Sequence, residues 1–367
     1  MTELVDSVDN KDRIKESFRL MKKQTTRGKQ IRAFIIRSIP SHPQGIADIV
    51  TSQFRISRQA VSRYLTELVH EGRVTAQGNT RQRRYALAVL QRKRFLVPLA
   101  GLEEDQIWRS QVLPLFESLP KNVVDIWHYA FTEMVNNAID HSGGSHLAVT
   151  TEMNALRTKI SVYDDGIGIF RKITKECHLE DERHAVLELA KGRLTTDPEH
   201  HTGEGIFFTS RMVDDFEILS GGVFLLSSGH SKEDRILEPE QPENGTYVLM
   251  SLDNDSTRTD QEVFDHFASD KEDYGFAKTV VPVRLAKHGT EKLISRSQAK
   301  RLLTRLDRFN TVILDFEDVD SIGQGFADEI FRVFSRNHPN ISILPINTAP
   351  QVDKMIAQVR ATPPNQN

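Results

Sequence analysis

Residues 126 to 170 read IWHYAFTEMVNNAIDHSGGSHLAVTTEMNALRTKISVYDDGIGIF. The first third places apolar side chains at Ile126, Tyr129, Ala130, Met134, Ala138 and Ile139, the spacing of an amphipathic helix, and leaves Glu133, Asn137 and Asp140 on the other flank. A carboxylate and an amide four residues apart therefore project side by side. Two alternating stretches follow, 146–153 and 159–163, with Asn154 and Ala155 between them, and they predict a hairpin. The second ends in Asp164-Asp165-Gly166-Ile167-Gly168. A carboxylate at a strand end can accept an amino group's hydrogens, and glycine beside it lets backbone approach a flat ligand.

Further along, His201-Thr202-Gly203-Glu204-Gly205 precedes a helical run through Ile206, Phe207, Ser210, Met212 and Val213. Free backbone N–H groups at such a helix start suit a phosphate. Gly245-Thr246 then introduces the strand Tyr247 to Met250. Each piece taken singly is common, and a Gly-Thr pair by itself reads as an ordinary turn. The ordered set is more specific. Glu-x-x-x-Asn on a helix, Asp-x-Gly-x-Gly after a strand, Gly-x-Gly opening a helix and Gly-Thr before a strand together resemble the GHKL ATP-binding superfamily of gyrase, chaperone ATPases, histidine kinases and mismatch-repair ATPases. The resemblance covers roughly residues 95 to 255.

The resemblance implies an α/β sandwich, the Bergerat fold, binding ATP with magnesium. Asn137 matches the magnesium-ligating asparagine. Glu133 matches the glutamate that orients and deprotonates water in hydrolysing members, although a solvated helix-face carboxylate is the plainer reading and some kinases also carry an acid here. Asp140 falls one turn on, near the ribose or the metal shell, and Asp164 matches the acceptor of the adenine amino group. Gly166 and Gly168 give the base room, Thr246 assists through water, and Gly203, Gly205 and Ile206 open the phosphate helix. The charged segment between Phe170 and Gly203 takes the place of the ATP lid, from which Lys191 or Arg193 would reach the terminal phosphate. Cys177-His178, His184 and His200-His201 invite a zinc reading, but without a Cys-x-x-Cys pair a solvated histidine cluster is preferred.

At 367 residues, and about 100 to 200 per domain, two or three domains are expected. No apolar run is long enough to span a membrane and MTELVDSVDNKDRIKE is not a signal peptide, so a soluble, cytoplasmic product is expected. The single Cys177 excludes an internal disulfide. The net charge of −3 hides an asymmetry: residues 27–94 carry fourteen Lys and Arg against Asp48, Glu67 and Glu71, a net of +11. A basic head on an acidic body points to a polyanion partner.

Within that head, three helical patterns follow one another, centred on Ile31, Phe34 and Ile35, on Ile46, Ile49 and Val50, and on Ala60, Val61, Tyr64, Leu65 and Leu68. Ser57 caps the third, which exposes Arg58, Gln59, Ser62 and Arg63. A strand from Val74, a turn at Gln77-Gly78-Asn79 and a returning strand with Arg81, Arg83 and Arg84 complete the pattern. With Leu68-x-x-Glu-Gly-Arg-Val74, it resembles a winged helix-turn-helix domain of bacterial regulators and implies binding of double-stranded DNA through Ser57, Arg58, Gln59, Ser62, Arg63, Arg81, Arg83 and Arg84. The plainer reading is a solvated or protein-binding basic face.

Toward the C-terminus strands and helices alternate: an extended 277–285, a helix 297–306, a strand 311–316, a helix from about 325 to 334, a strand 341–346 and a helix 351–359. Residues 312–334, VILDFEDVDSIGQGFADEIFRVF, resemble the STAS family, and more closely a STAS-like domain found beside GHKL domains. Gln324 and Gly325 stand where phosphorylated members carry a serine, with only Ser321 nearby, so an interaction or homodimer role is implied.

The expected architecture is a multidomain α/β chain. It has a flexible or helical 1–27, a winged helix-turn-helix at 28–90, a linker at 91–120, a GHKL domain at 121–255, a linker at 256–273 and a STAS-like domain at 274–362. The expected function is a DNA-binding transcription regulator modulated by Mg·ATP. Alternatives are a kinase acting on a partner and a nucleotide sensor without turnover. Against the kinase stands the lack of an upstream phosphoacceptor histidine, since His128 lies inside the nucleotide-binding helix.

Overall fold

A computed structural model of the chain describes residues 26–79, 82–194, 203–228, 233–237, 243–268, 277–287 and 291–361. The apolar patch at Ile14, Phe18 and Met21, the arginine at 81 and the His200-His201-Thr202 stretch lie outside these residues. The chain is a mixed α/β protein that divides into two compact units. One comprises residues up to Lys93 together with Thr151–Lys159 and Asp253–Asp255; the other holds the remainder.

In the first unit, helices Thr26–Ser38, Ile46–Phe54 and Arg58–His70 precede a hairpin of β1 (Val74–Gln77) and β2 (Arg84–Leu87). Their one-sided apolar spacing is why they pack: Ile31, Ile35, Val50, Val61, Leu65 and Leu68 are all buried in one core. Arg55 in the left-handed conformation ends the second helix, and the Ser57 hydroxyl accepts the Ala60 N–H at 3.2 Å to start the third. The guanidinium of Arg32, 4 % exposed, is held by Glu67 and Glu71. Ala155 and Leu156, from a hairpin tip distant in sequence, pack on the same core.

A seven-stranded sheet follows the order β3-β4-β5-β9-β6-β7-β8. Its strands are β3 (Val89–Pro98), β4 (His146–Asn154), β5 (Arg157–Asp164), β6 (Asp215–Gly221), β7 (Val223–Ser228), β8 (Glu233–Leu237) and β9 (Glu243–Asp253). Asn154 closes the β4–β5 turn by accepting the Leu156 and Arg157 N–H groups at 2.8 and 2.9 Å. In the second unit the helix Lys121–His141 buries Ile126, Trp127, Ala130, Phe131, Met134 and Ala138, leaving Glu133 and Asn137 at the edge of that stripe. Helices Ile169–Glu176, Glu182–Lys191 and Gly205–Met212 accompany it. Residues 91–120, expected to be a linker, instead supply most of the edge strand β3 and a helical stretch whose Ile107, Trp108, Val112 and Phe116 are buried. Pro98 and Pro114 fall at a strand end and in a tight turn, so they bound elements without preventing them.

The same unit contains a parallel sheet of β10 (Lys278–Pro282), β11 (Thr311–Asp315) and β12 (Ser342–Ile346), with helices Arg296–Leu303, Gln324–Asp328 and Pro350–Ala361. Ser295 and Gln298 form a capping box at the first of these helices. Among the described residues no helix is long and apolar enough to cross a membrane.

Candidate functional site

The strand-end acid is built first. Asp164 closes β5 at 6 % exposure, and its carboxylate accepts the Gly166 N–H at 3.0 Å and a hydrogen bond from Thr246. Thr246 lies on the neighbouring strand β9 and accepts the Ile169 N–H at 3.1 Å, so its hydroxyl is fixed between acid and helix start. Burial pushes the Asp164 carboxyl above its ordinary range, against the lowering effect of those hydrogen bonds. Its neighbour Asp165 behaves oppositely. It is exposed, accepts the Ser145 and His146 N–H groups at 2.6 and 2.9 Å, and its pKa is lowered, with the His146 bond foremost.

Asp164 and Thr246 open onto a cavity of about 280 Å³, close to the lower end of small-molecule sites, about 300 Å³. Glu133, Asn137, Gly203, Gly205 and Ile206 also line it. Four separated pieces of sequence thus converge on one space. The Glu133 carboxylate lies against Gly205, where a Cβ would run into it, so any larger residue at the start of the Gly205–Met212 helix would displace that carboxylate. The Asn137 Nδ2 is buried and has no hydrogen-bond partner. A buried amide left unpaired in a cavity wall points to a partner that enters with a ligand or water. A half-turn of the carboxamide exchanges its donor and acceptor ends, so either can meet that partner. Tyr129, beside Glu133 and Glu204, has its phenol pushed far up by burial and by those two carboxylates, so it stays neutral.

Several residues expected at the site lie elsewhere. Asp140 is exposed and does not line the cavity. Gly166 and Gly168 do not line it either: a Cβ on Gly166 would strike the Ser142 carbonyl and one on Gly168 the Ser220 hydroxyl, so these glycines shape the turn that presents Asp164. The largest departure concerns the two expected phosphate-reaching cations. Lys191 is 1 % exposed, its Nζ 2.5 Å from Glu188 Oε1 and donating to the carbonyls of Thr304 at 2.9 Å and Arg301 at 3.3 Å. Arg193 donates to the Arg308 carbonyl at 2.7 Å and lies 3.6 Å from Glu204. Beyond Glu188 and Glu204, these contacts are with the C-terminal part of the unit, and neither side chain lines the cavity.

Lys172 lines it instead. One turn beyond Gly168, it keeps 17 % side-chain exposure, and its Nζ donates to the His141 carbonyl at 3.2 Å. It is the only Lys or Arg of the described cavity wall. Val162 and Val248 stand two residues from Asp164 and Thr246, on the same face of their strands, and complete the apolar wall with Met134, Ala138, Ile169 and Leu189. No group of three or more His, Cys, Asp or Glu residues able to hold a metal occurs among the described residues, and the His200-His201 pair of the zinc reading lies outside them.

In the first unit, Ser57, Arg58, Gln59, Ser62 and Arg63 are all exposed on the Arg58–His70 helix. Arg58 pairs with Asp48, and Arg63 lies 3.8 Å from Glu67 and over the Tyr64 ring. Arg83 and Arg84 are exposed where the hairpin returns. This presents one basic helix face and one basic turn of the same compact unit.

A family described as a STAS-like domain of unknown function (DUF4325) matches residues 298–353, within the part that carries β11 and β12. No curated protein matches the chain.

Proposed function

We propose that the chain is an ATP-binding, DNA-binding transcription regulator, with a GHKL-type nucleotide site in the second unit and a winged helix-turn-helix in the first. The observation that carries the nucleotide reading is the convergence of Asp164, Thr246, Asn137, Glu133 and Gly205 on one cavity. A buried carboxylate fixed by a hydroxyl supports adenine recognition. The orphaned Asn137 amide beside the Glu133 carboxylate fits a divalent ion that takes one or two protein ligands and its remaining ones from phosphates and water. Magnesium, when bound there, neutralises phosphate charge. Glu133 is positioned to accept a proton from water, and Lys172, rather than Lys191 or Arg193, is the cation that faces an anionic ligand.

The DNA reading rests on the exposed side chains at the start of the Arg58–His70 helix and on Arg83 and Arg84 in the hairpin. Arginines of this kind bind phosphate and base edges when a helix enters the major groove. Titrating nucleotide against wild type and Asp164→Asn tests the first half, and equal affinities would remove it. Measuring DNA affinity across salt tests the second. An arginine that neutralises one phosphate releases one counterion, so Arg83→Ala or Arg84→Ala is expected to flatten the log–log salt slope by about 0.9. DNA affinity with and without a non-hydrolysable ATP tests whether the two are linked. Phosphate release that is unchanged in Glu133→Ala would mean that Glu133 is not the general base, and no release from the wild type would leave a sensor without turnover.

A further inference from the structure

We propose that residues Glu188 to Leu194 are a wall shared by the nucleotide cavity and the STAS-like domain, so that filling the cavity and seating that domain are energetically coupled. The inference rests on the nucleotide reading of the cavity. Residues of this segment face two ways. Leu189 and Leu194 line the cavity, whereas Lys191 and Arg193 bind the STAS-like domain. The Lys191 ammonium sits where the Arg296–Leu303 helix ends, against the carbonyl of Thr304, which caps the helix, and the carbonyl of Arg301, which also accepts the Thr304 N–H. A cation at a helix C-terminus is favoured by the helix dipole as well as by the hydrogen bonds.

The backbone of the segment is fastened at the same places. The Thr279 hydroxyl on β10 donates to the Lys191 carbonyl at 2.6 Å. Arg193 and Arg308 exchange side-chain-to-carbonyl bonds of 2.7 and 2.8 Å. One residue further, the Leu194 N–H donates to the Gly203 carbonyl at 3.1 Å, and Arg193 lies 3.6 Å from Glu204, so the fastening continues into the glycine segment that meets Glu133. Lys191 cannot leave its seat without abandoning Glu188, 2 % exposed, in the interior. The wall and the end of the Arg296–Leu303 helix therefore shift together or not at all. A ligand pressing on Leu189, Leu194, Gly203 and Gly205 must favour one seating of the STAS-like domain, and by reciprocity that seating must change ligand affinity by the same factor.

The test is amide hydrogen exchange on the full chain, with and without magnesium and a non-hydrolysable ATP, beside nucleotide titration of Arg308→Ala. Arg308 is exposed, so its truncation leaves the core intact, and Thr279→Val provides a second, isosteric break in the same fastening. Nucleotide is expected to slow exchange at 301–308 and 277–281 in wild type. Arg308→Ala is expected to lessen that slowing and to weaken nucleotide binding about threefold to tenfold. Protection confined to 133–142 and 162–173, with affinities equal within about twofold in both variants, would overturn the coupling and leave the nucleotide site standing. Failure of the wild-type chain to bind nucleotide at all would remove both.

Discussion

Lys172 and Lys191 belong to the same charged stretch between the Asp164 turn and the Gly203 segment, yet the fold uses them in opposite ways. Lys172 keeps 17 % of its side chain exposed and faces the cavity with one carbonyl partner at 3.2 Å. Lys191 is 1 % exposed, paired with Glu188 and bonded to two carbonyls of the STAS-like domain. Position in the chain and charge are the same kind of evidence for both. What separates them is the number of fixed acceptors each ammonium already has: a saturated, desolvated lysine holds two parts of a fold together, and an unsaturated one at a cavity wall retains donors for a ligand.

The hardest way to break this contrast is at Lys191. Lys191→Met leaves Glu188 buried without its ammonium, and stranding a buried charge typically costs about 3–5 kcal/mol, on the order of a 10 °C fall in melting temperature. His184 lies 3.6 Å from Glu188 but does not replace a hydrogen bond at 2.5 Å. Adding Glu188→Gln removes the stranded charge and is expected to restore much of the stability. A melt unchanged in the single variant would mean that Lys191 is not a structural cation. Lys172→Gln, by contrast, is expected to melt within about 1 °C of wild type.

Next in size is the acid at the other end of the cavity. Asp164→Asn keeps an acceptor for the Gly166 N–H but loses the charged acceptor offered to an amino group, a difference of about 1.5–3 kcal/mol, or roughly 10- to 100-fold in nucleotide affinity. Its effect on stability has the reverse sign. Because burial raises the folded-state pKa above the ordinary value of 3.8, the folded form holds its proton more tightly than the unfolded chain. The wild type therefore gives up stability as pH rises from about 4 through that raised pKa, and Asp164→Asn does not. Melting profiles of the two proteins should diverge over that interval in favour of the variant. Parallel profiles would place the acid in an ordinary solvated setting.

These residues also show what the sequence makes legible. Glu133 and Asn137 could be placed together because helical spacing fixes their neighbours, and Asp164 because a strand that ends in glycines has few places to put its last side chain. The three-helix head and the alternating C-terminal strands followed from the same periodicities, as did the exposed face from Arg58 to Arg63. Lys191 and Arg193 could not be placed. Glu188 and Glu204 lie near them in sequence, but the acceptors that fix their direction are main-chain carbonyls more than a hundred residues away, and a carbonyl leaves no signature in the sequence. The stretch 91–120 was obscured for another reason: its prolines read as interruptions although they fall at a strand end and in a turn. Val162 and Val248 were within reach, since each lies two residues from a residue already assigned to the cavity.

The finest test of the contrast concerns Lys172 itself. Its one described hydrogen bond is to the His141 carbonyl, at the last residue of the Lys121–His141 helix, and Glu176 lies 4.0 Å away, so the ammonium is oriented but not saturated. The cavity wall otherwise presents the carboxylates of Glu133 and Asp164, and no other Lys or Arg among its described residues. If Lys172 serves a phosphate-bearing ligand, Lys172→Gln should weaken ATP by about 1 kcal/mol, roughly fivefold, the size of one partly exposed ionic hydrogen bond. The same variant should bind adenosine as the wild type does, because the base is held at Asp164 and Thr246. Loss of ATP and adenosine affinity in equal measure would make Lys172 a part of the cavity's shape, and the difference between the two lysines would then be one of burial alone.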